Sequence, residues 1–159
     1  MDVCFIPDGE WGAWLEKRGV RLPEGNFVDC EGKILGRHLG IHRYTVGQRK
    51  GLGVASTGRL FVHALRPETN EIVLSLEDPH RSKIHLTSVN LCAPEYAAEG
   101  AFACDVRVRY SPRADRATVT VSGTDAFIEF ENPVRAPAAG QFAVFYDGDI
   151  VIGGGFIEP

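Results

Sequence analysis

Between Leu35 and Val54 the chain reads LGRHLGIHRYTVGQRKGLGV, with glycine at positions 36, 40, 47, 51 and 53. Glycine is costly in a helix interior and lets the backbone turn back or approach a ligand closely. Five of them in twenty residues rule out a stable helix here and leave turns joined by short extended pieces. The stretch is also basic. From Gly32 to Pro67 there is no Asp or Glu, against seven positive side chains: Lys33, Arg37, Arg43, Arg49, Lys50, Arg59 and Arg66. The whole chain holds 21 acids against 17 Lys and Arg, so positive charge is segregated here rather than general. Clustered Lys and Arg attract phosphates. The expectation is a loop-rich surface for a polyanion, weighed against an ordinary solvated face.

Elsewhere short strands and turns dominate. Trp11, Trp14 and Leu15 fall at helical spacing between Asp8, a plausible N-cap, and Gly19, a plausible stop, which predicts one short helix over Gly9–Arg18. Phe27–Cys30 and Lys33–Gly36 read as a hairpin turning at Glu31-Gly32, and Arg59–Leu65 and Glu71–Leu76 as a second one. Glu77–Arg81 is the best linker. Beyond it, Ile84–Cys92, Phe102–Tyr110, Ala117–Val121 and Phe127–Phe130 read as strands, followed by a hairpin of Phe142–Tyr146 and Ile150–Ile152 before Gly153-Gly154-Gly155. In Phe102–Tyr110 the residues Phe102, Cys104, Val106, Val108 and Tyr110 share one face, and Asp105, Arg107 and Arg109 the other. Short strands at this spacing predict a small closed barrel or a sandwich.

Bulk properties narrow the class of function. A formal charge of −4 does not describe a general nucleic-acid binder, so any such binding rests on local patches. Cys4, Cys30, Cys92 and Cys104 are far apart, with no C-x-x-C pair, which favours a reduced, cytoplasmic protein. No apolar run reaches membrane-spanning length, and the first residues lack the pattern of a signal peptide. Cys30, Cys92 and Cys104 fall in expected strands and read as structural. Cys4, in the apolar run Val3–Ile6, is either a small buried hydrophobe or a reactive thiol activated by a nearby helix start. His38 and His42 have zinc-helix spacing, but the flanking glycines argue against a helix, and no metal site is expected. The glycine run fits neither a P-loop nor a dinucleotide fingerprint. As an RNA surface it offers Arg43, Arg49 and Lys50 for charge, Gln48 for hydrogen bonding and Tyr44 for stacking. Arg107, Arg109 and Arg113, with Tyr110, form a second candidate row for phosphates.

These residues carry a resemblance. Cys4-Phe5-Ile6, the run from Gly36 through Tyr44-Thr45-Val46-Gly47-Gln48-Arg49-Lys50-Gly51-Leu52-Gly53, then Gly140-Gln141, Val144–Gly148 and Gly153–Gly155 closely resemble the C-terminal part of the tRNA-specific 2-thiouridylases. The resemblance implies a mainly β chain: a short N-terminal helix, a small β-rich central domain, and a C-terminal six-stranded barrel like the second domain of elongation factors. It implies residues 1–22 as the tail of a catalytic domain, 23–80 as the central domain and 81–159 as the barrel. It further implies an enzyme that exchanges the C2 oxygen of the wobble uridine in tRNAs for Lys, Glu and Gln for sulfur. Cys4 would carry the persulfide, and Arg109, Tyr110 and Gln141 would touch tRNA. ATP with magnesium would be used by an N-terminal PP-loop domain, which this chain lacks. A sulfur-relay protein or cysteine desulfurase would supply sulfur. Where the family has Pro-Gly-Gln, this chain has Ala139-Gly140-Gln141. The alternatives are a free-standing translation-factor-like barrel that binds RNA without chemistry, and an unrelated enzyme pairing Cys4 with a histidine.

Overall fold

The computed structural model describes residues 11–96, 100–109 and 113–158. The chain divides into two compact units, Met1–Pro79 and His80–Pro159.

The first unit opens on the one α-helix among the described residues, α1 (Trp11–Lys17). It ends where glycine permits. Gly19 sits at φ +89°, Val20 N–H donates to the Leu15 carbonyl at 3.1 Å and Gly19 N–H to that of Glu16 at 3.0 Å, which is the pairing of a Schellman stop. The expected Asp8 cap lies outside the described residues. Four strands follow: β1 (Gly25–Val28), β2 (Ile34–His38), β3 (Phe61–Arg66) and β4 (Glu71–Ser75). Both expected hairpins form, and the first turn is fixed by Asp29, whose Oδ1 accepts from Glu31 N–H at 3.0 Å and Lys33 N–H at 2.8 Å. The hairpins join edge to edge through a parallel β1–β4 pairing, giving the order β2-β1-β4-β3. That places the most apolar strands inside, and Phe27, Val62, Ile72 and Leu74 form the core with Tyr44 and Leu52 from the glycine-rich segment.

Six strands make up the second unit: β5 (His80–Leu91), β6 (Gly100–Arg107), β7 (Asp115–Ser122), β8 (Asp125–Arg135), β9 (Phe142–Asp147) and β10 (Ile150–Ile157). They close into an antiparallel barrel in the order β10-β5-β8-β7-β6-β9. Closure removes the unpaired edges that an open sheet would expose. Alternate residues point inward, so Leu86, Val106, Val119, Ile128, Phe145 and Ile152 fill the interior.

Several boundaries differ from expectation. Strand β5 already begins at His80, where it pairs with Arg135, so the linker is shorter than Glu77–Arg81. Strand β6 stops at Arg107, although Val108 remains buried; Tyr110 lies outside the described residues. Strand β10 does not stop before its glycines but runs through them. A Cβ on Gly153 would strike the Asn90 carbonyl oxygen, and one on Gly154 that of Ala143. Glycine there serves close strand approach, not a chain break.

Candidate nucleic-acid interface

The glycine-rich segment is a pinned loop. Ile41–Arg43 forms one 3-10 turn after Gly40, whose φ of +119° excludes most other residues. Gly47 N–H donates to the Val62 carbonyl at 2.8 Å and Val62 N–H returns to that of Gln48 at 2.9 Å, tying the loop to β3. The Gln48 side chain works inside the loop: its Oε1 accepts from Thr45 N–H at 3.1 Å and its Nε2 donates to the Lys50 carbonyl at 3.0 Å. Tyr44 is buried, edge-on to Phe27 and His38, and is therefore unavailable for base stacking.

His38 is fully buried. Its Nδ1 accepts from Gly40 N–H, so Nε2 carries the proton and donates to the Asn70 carbonyl at 3.2 Å. Burial pushes the His38 pKa down, outweighing that hydrogen bond, and keeps the ring neutral. His42 turns elsewhere, to Glu16 at 3.2 Å. The two rings are thus committed separately rather than aimed at a shared ion.

The acid-free window does not stay acid-free in three dimensions. Arg43 donates through Nε and Nη2 to Glu16 Oε1, at 2.9 and 2.7 Å. Gly12 makes this possible, because a Cβ there would meet the Arg43 stem. Arg37 pairs with Glu24 at 3.6 Å and Arg66 with Glu71 at 3.4 Å. Among the described residues Lys33, Arg49, Lys50 and Arg59 make no ion pair, and all four are exposed. Of the loop residues expected to face RNA, Arg49 and Lys50 are presented to solvent, whereas Arg43 and Gln48 shape the loop.

The denser charge is on the barrel. In an antiparallel barrel the starts of β5, β7 and β9 share a rim with the ends of β6, β8 and β10. That rim carries His80, Arg107, Arg109, Arg113 and Arg135, and the register of β6 against β9 (Arg107 opposite Val144) brings Gln141 to the same end. Gly140, at φ +78°, turns the chain into β9, and the backbone of Gln141 is held by Ala138 and Ile157. The other rim carries Glu95, Asp125, Asp147 and Asp149, so the barrel is polarised along its axis. On the basic rim a cavity of about 260 Å³ is lined by the five basic residues with Asp115, Val108, Pro133 and Val134. The Arg107 guanidinium lies 4.9 Å from the Tyr146 ring centroid, which fixes its plane.

Sequence reasoning singled out Arg107, Arg109 and Arg113 but missed His80 and Arg135. They join the group only because they face each other across β5 and β8, a pairing between residues 55 positions apart in the chain.

The cysteines divide differently from expectation. Cys104 is buried, and burial raises its thiol pKa to about 11, so it stays protonated and inert. Cys30 and Cys92 are exposed and lie just past the ends of β1 and β5 rather than within strands. Cys4 lies outside the described residues. No helix among the described residues is long and apolar enough to cross a membrane.

Two domain families match this architecture. The tRNA methyl transferase PRC-barrel domain matches residues 13–76, and the aminomethyltransferase beta-barrel domain matches residues 81–157, meeting close to the division at Pro79. The class is therefore a tandem of these two β domains. Curated relatives give the family more closely. The chain is 44% identical to the tRNA-specific 2-thiouridylase MnmA of Lachnoclostridium phytofermentans over 99% of its own length. It is 38% identical to that of Clostridium acetobutylicum and 41% to MnmA 2 of Clostridium botulinum strain Langeland, again over 99%. The chain belongs to the tRNA-specific 2-thiouridylase family. It spans 44–45% of the length of these relatives.

Proposed function

We propose that this chain is the C-terminal portion of a tRNA 2-sulfurtransferase, holding tRNA and carrying the cysteine that relays sulfur. The observation that carries the reading is the similarity along 99% of the chain to 2-thiouridylases of about twice its length. The basic barrel rim supports it, since tRNA is held first through its phosphates. In this reading Arg109, Tyr110 and Gln141 contact tRNA from the barrel, and Arg49 and Lys50 contact it from the loop that Arg43 and Gln48 shape. The substrate is the wobble uridine of tRNAs for Lys, Glu and Gln. An N-terminal PP-loop domain outside this chain uses ATP and magnesium to activate the uridine C2 oxygen, and a relay protein or cysteine desulfurase charges Cys4, all in the cytoplasm.

The chemistry asked of Cys4 is nucleophilic, and its persulfide must be deprotonated. Its terminal sulfur attacks the activated C2, and the adenylate leaves with the oxygen. A second cysteine of the catalytic domain then attacks Cys4 sulfur, leaving the thiocarbonyl on the base and a disulfide between the two cysteines. In the other route that cysteine attacks first, releasing hydrosulfide, which adds to C2. Both routes need tRNA fixed so that one base reaches the sulfur, a matter of positioning.

Two measurements test the reading. Cys4→Ser in the full-length protein is expected to abolish 2-thiouridine in bulk tRNA, as read by nucleoside mass spectrometry; normal levels would remove Cys4 from the pathway. The 159-residue chain alone is expected to shift tRNA on a gel, more weakly as salt rises, without thiolating it. No shift at low salt would overturn the tRNA-holding role.

A further inference from the structure

We propose that Glu16 is a positioning residue for sulfur transfer: it fastens the helix that follows Cys4 to the turn that opens the RNA-facing loop, so that the relay thiol and the RNA keep a fixed relation. The proposal rests on the tRNA reading above and gives a role to a residue that no motif marks.

A helix of seven residues is marginal alone, and the element α1 chiefly packs on is the turn Ile41–Arg43. The contact is built from both sides. Gly12 and Glu16 lie four apart and so share one face of the helix, and the Arg43 side chain runs along that face. A Cβ on Gly12 would come within 2.8 Å of Arg43 Cγ, while the guanidinium donates from Nε and Nη2 to Glu16 Oε1 at 2.9 and 2.7 Å. His42 reaches the same oxygen through Nε2 at 3.2 Å, with its side chain only 6% exposed. Its Nδ1 is buried without a hydrogen-bond partner among the described residues, so the bond to Glu16 is the one that orients the ring. Gly40 leaves space for that ring, since a Cβ there would come within 2.5 Å of His42 Cε1. Two glycines and two basic side chains thus converge on one carboxylate oxygen, and hydrogen bonds between charged groups are the strong ones.

The contact joins two stretches of chain. Cys4 stands seven residues before Trp11, so a fixed α1 confines it to within about 25 Å of the start of the helix. On the other side Arg43 leads directly into residues 44–53, which are pinned to β3 through Gly47, Gln48 and Val62 and present Arg49 and Lys50. Glu16 therefore links the segment that carries sulfur to the segment that faces RNA. Confining one reactant relative to the other raises the rate of the step between them. That benefit appears once tRNA is bound and not in tRNA affinity, because the loop keeps its bonds to β3. Charge screening would act in the opposite sense. A carboxylate beside Arg43 subtracts from the positive field that attracts phosphates, so its removal would tighten tRNA binding.

The test uses the full-length protein and measures 2-thiouridine formation at varied tRNA concentration. The first-turnover burst of pyrophosphate, released as ATP adenylates the uridine oxygen, reports the preceding step separately. Glu16→Gln is expected to lower kcat about ten- to hundredfold, with KM for tRNA and the pyrophosphate burst unchanged. Arg43→Met should act in the same way, and the double variant should lose no more than either single one, because both cut one contact. Arg43→Lys keeps the charge, loses the two-pronged bond and should recover part of the rate; it also carries the test if Glu16→Gln fails to fold. Assays well below the melting temperature of every variant separate lost rate from lost fold. Wild-type kcat in Glu16→Gln would overturn the positioning role. A lowered KM at unchanged kcat would also overturn it and make Glu16 a screen for Arg43. Loss of the pyrophosphate burst in step with thiolation would mean general disruption, and would overturn it as well. Thiolation that persists in Cys4→Ser would remove the sulfur reading itself. An inactive Cys4→Ser beside a fully active Glu16→Gln would leave that reading standing and strike only the role of Glu16.

Discussion

One carboxylate oxygen, Glu16 Oε1, accepts from Arg43 and from His42 and so docks α1 on the turn before the Tyr44–Gly53 loop. The Arg43 hydrogen bond holds the Glu16 carboxyl below its ordinary range, outweighing partial desolvation, and His42 adds to the same effect. For an acid whose folded value is lowered, the stabilisation is present above the unfolded value and is lost as pH falls through the folded one. Glu16→Gln is therefore expected to raise hydrogen exchange of the α1 amides at neutral pH, and acid should do the same to the wild type. An exchange rate indifferent to both would show that α1 is held by other contacts. A second residue, Asn70, gathers three chain segments. Its Nδ2 donates to the Glu24 carbonyl at 3.0 Å, its own carbonyl accepts from His38, and it sits at φ +53°. Asn70→Ala should cost the first unit roughly 1–3 kcal/mol, read by thermal melting. Asn70→Gly should recover the part due to backbone strain, since glycine takes positive φ freely.

At the scale of elements, β10 shows why glycine misleads a reader of sequence. Three consecutive glycines read as the end of a strand, yet Gly153 and Gly154 lie in mid-ladder where neighbouring carbonyls leave no room for a Cβ. Gly154→Ala is expected to destabilise the barrel by roughly 2–4 kcal/mol, because the collision is with backbone that cannot repack. Chemical denaturation followed by a probe in the barrel checks this. The hairpins, the helix stop at Gly19 and the inward face of Cys104, Val106 and Val108 were legible, since each depends on neighbours in the chain. The β1–β4 pairing and the His80–Arg135 pair were not, because register between distant strands is set by packing. The same limit applies to charge. The acid-free window looked segregated, but Glu16, Glu24 and Glu71 fold back onto three of its seven cations. On the barrel rim the row of Arg107, Arg109 and Arg113 was legible, while His80 and Arg135 join it only through the β5–β8 register.

At the scale of the molecule, the two units differ in how each is protected. The barrel is closed and encloses its own core, whereas the first unit is a four-stranded sheet with β2 and β3 as edges. The first unit also buries a titratable ring. His38 lies at 0% exposure between Phe27 and Tyr44, and burial pushes its pKa down. A histidine lowered in the folded state favours folding fully above the ordinary imidazole value, near 6.5. It loses that contribution as pH falls through the folded value, because the unfolded chain takes up the proton first. Two transitions are accordingly expected in calorimetry of the chain. The one belonging to the first unit should move to lower temperature between pH 7 and pH 5, while that of the barrel moves less. Residues 80–159 expressed alone should reproduce the barrel transition. His38→Gln should flatten the pH dependence of the first unit while lowering its melting temperature, since the amide replaces the ring's hydrogen bonds incompletely. A single transition that shifts as one with pH would mean that the two units unfold cooperatively, and an unchanged pH profile in His38→Gln would move the acid sensitivity to Glu16.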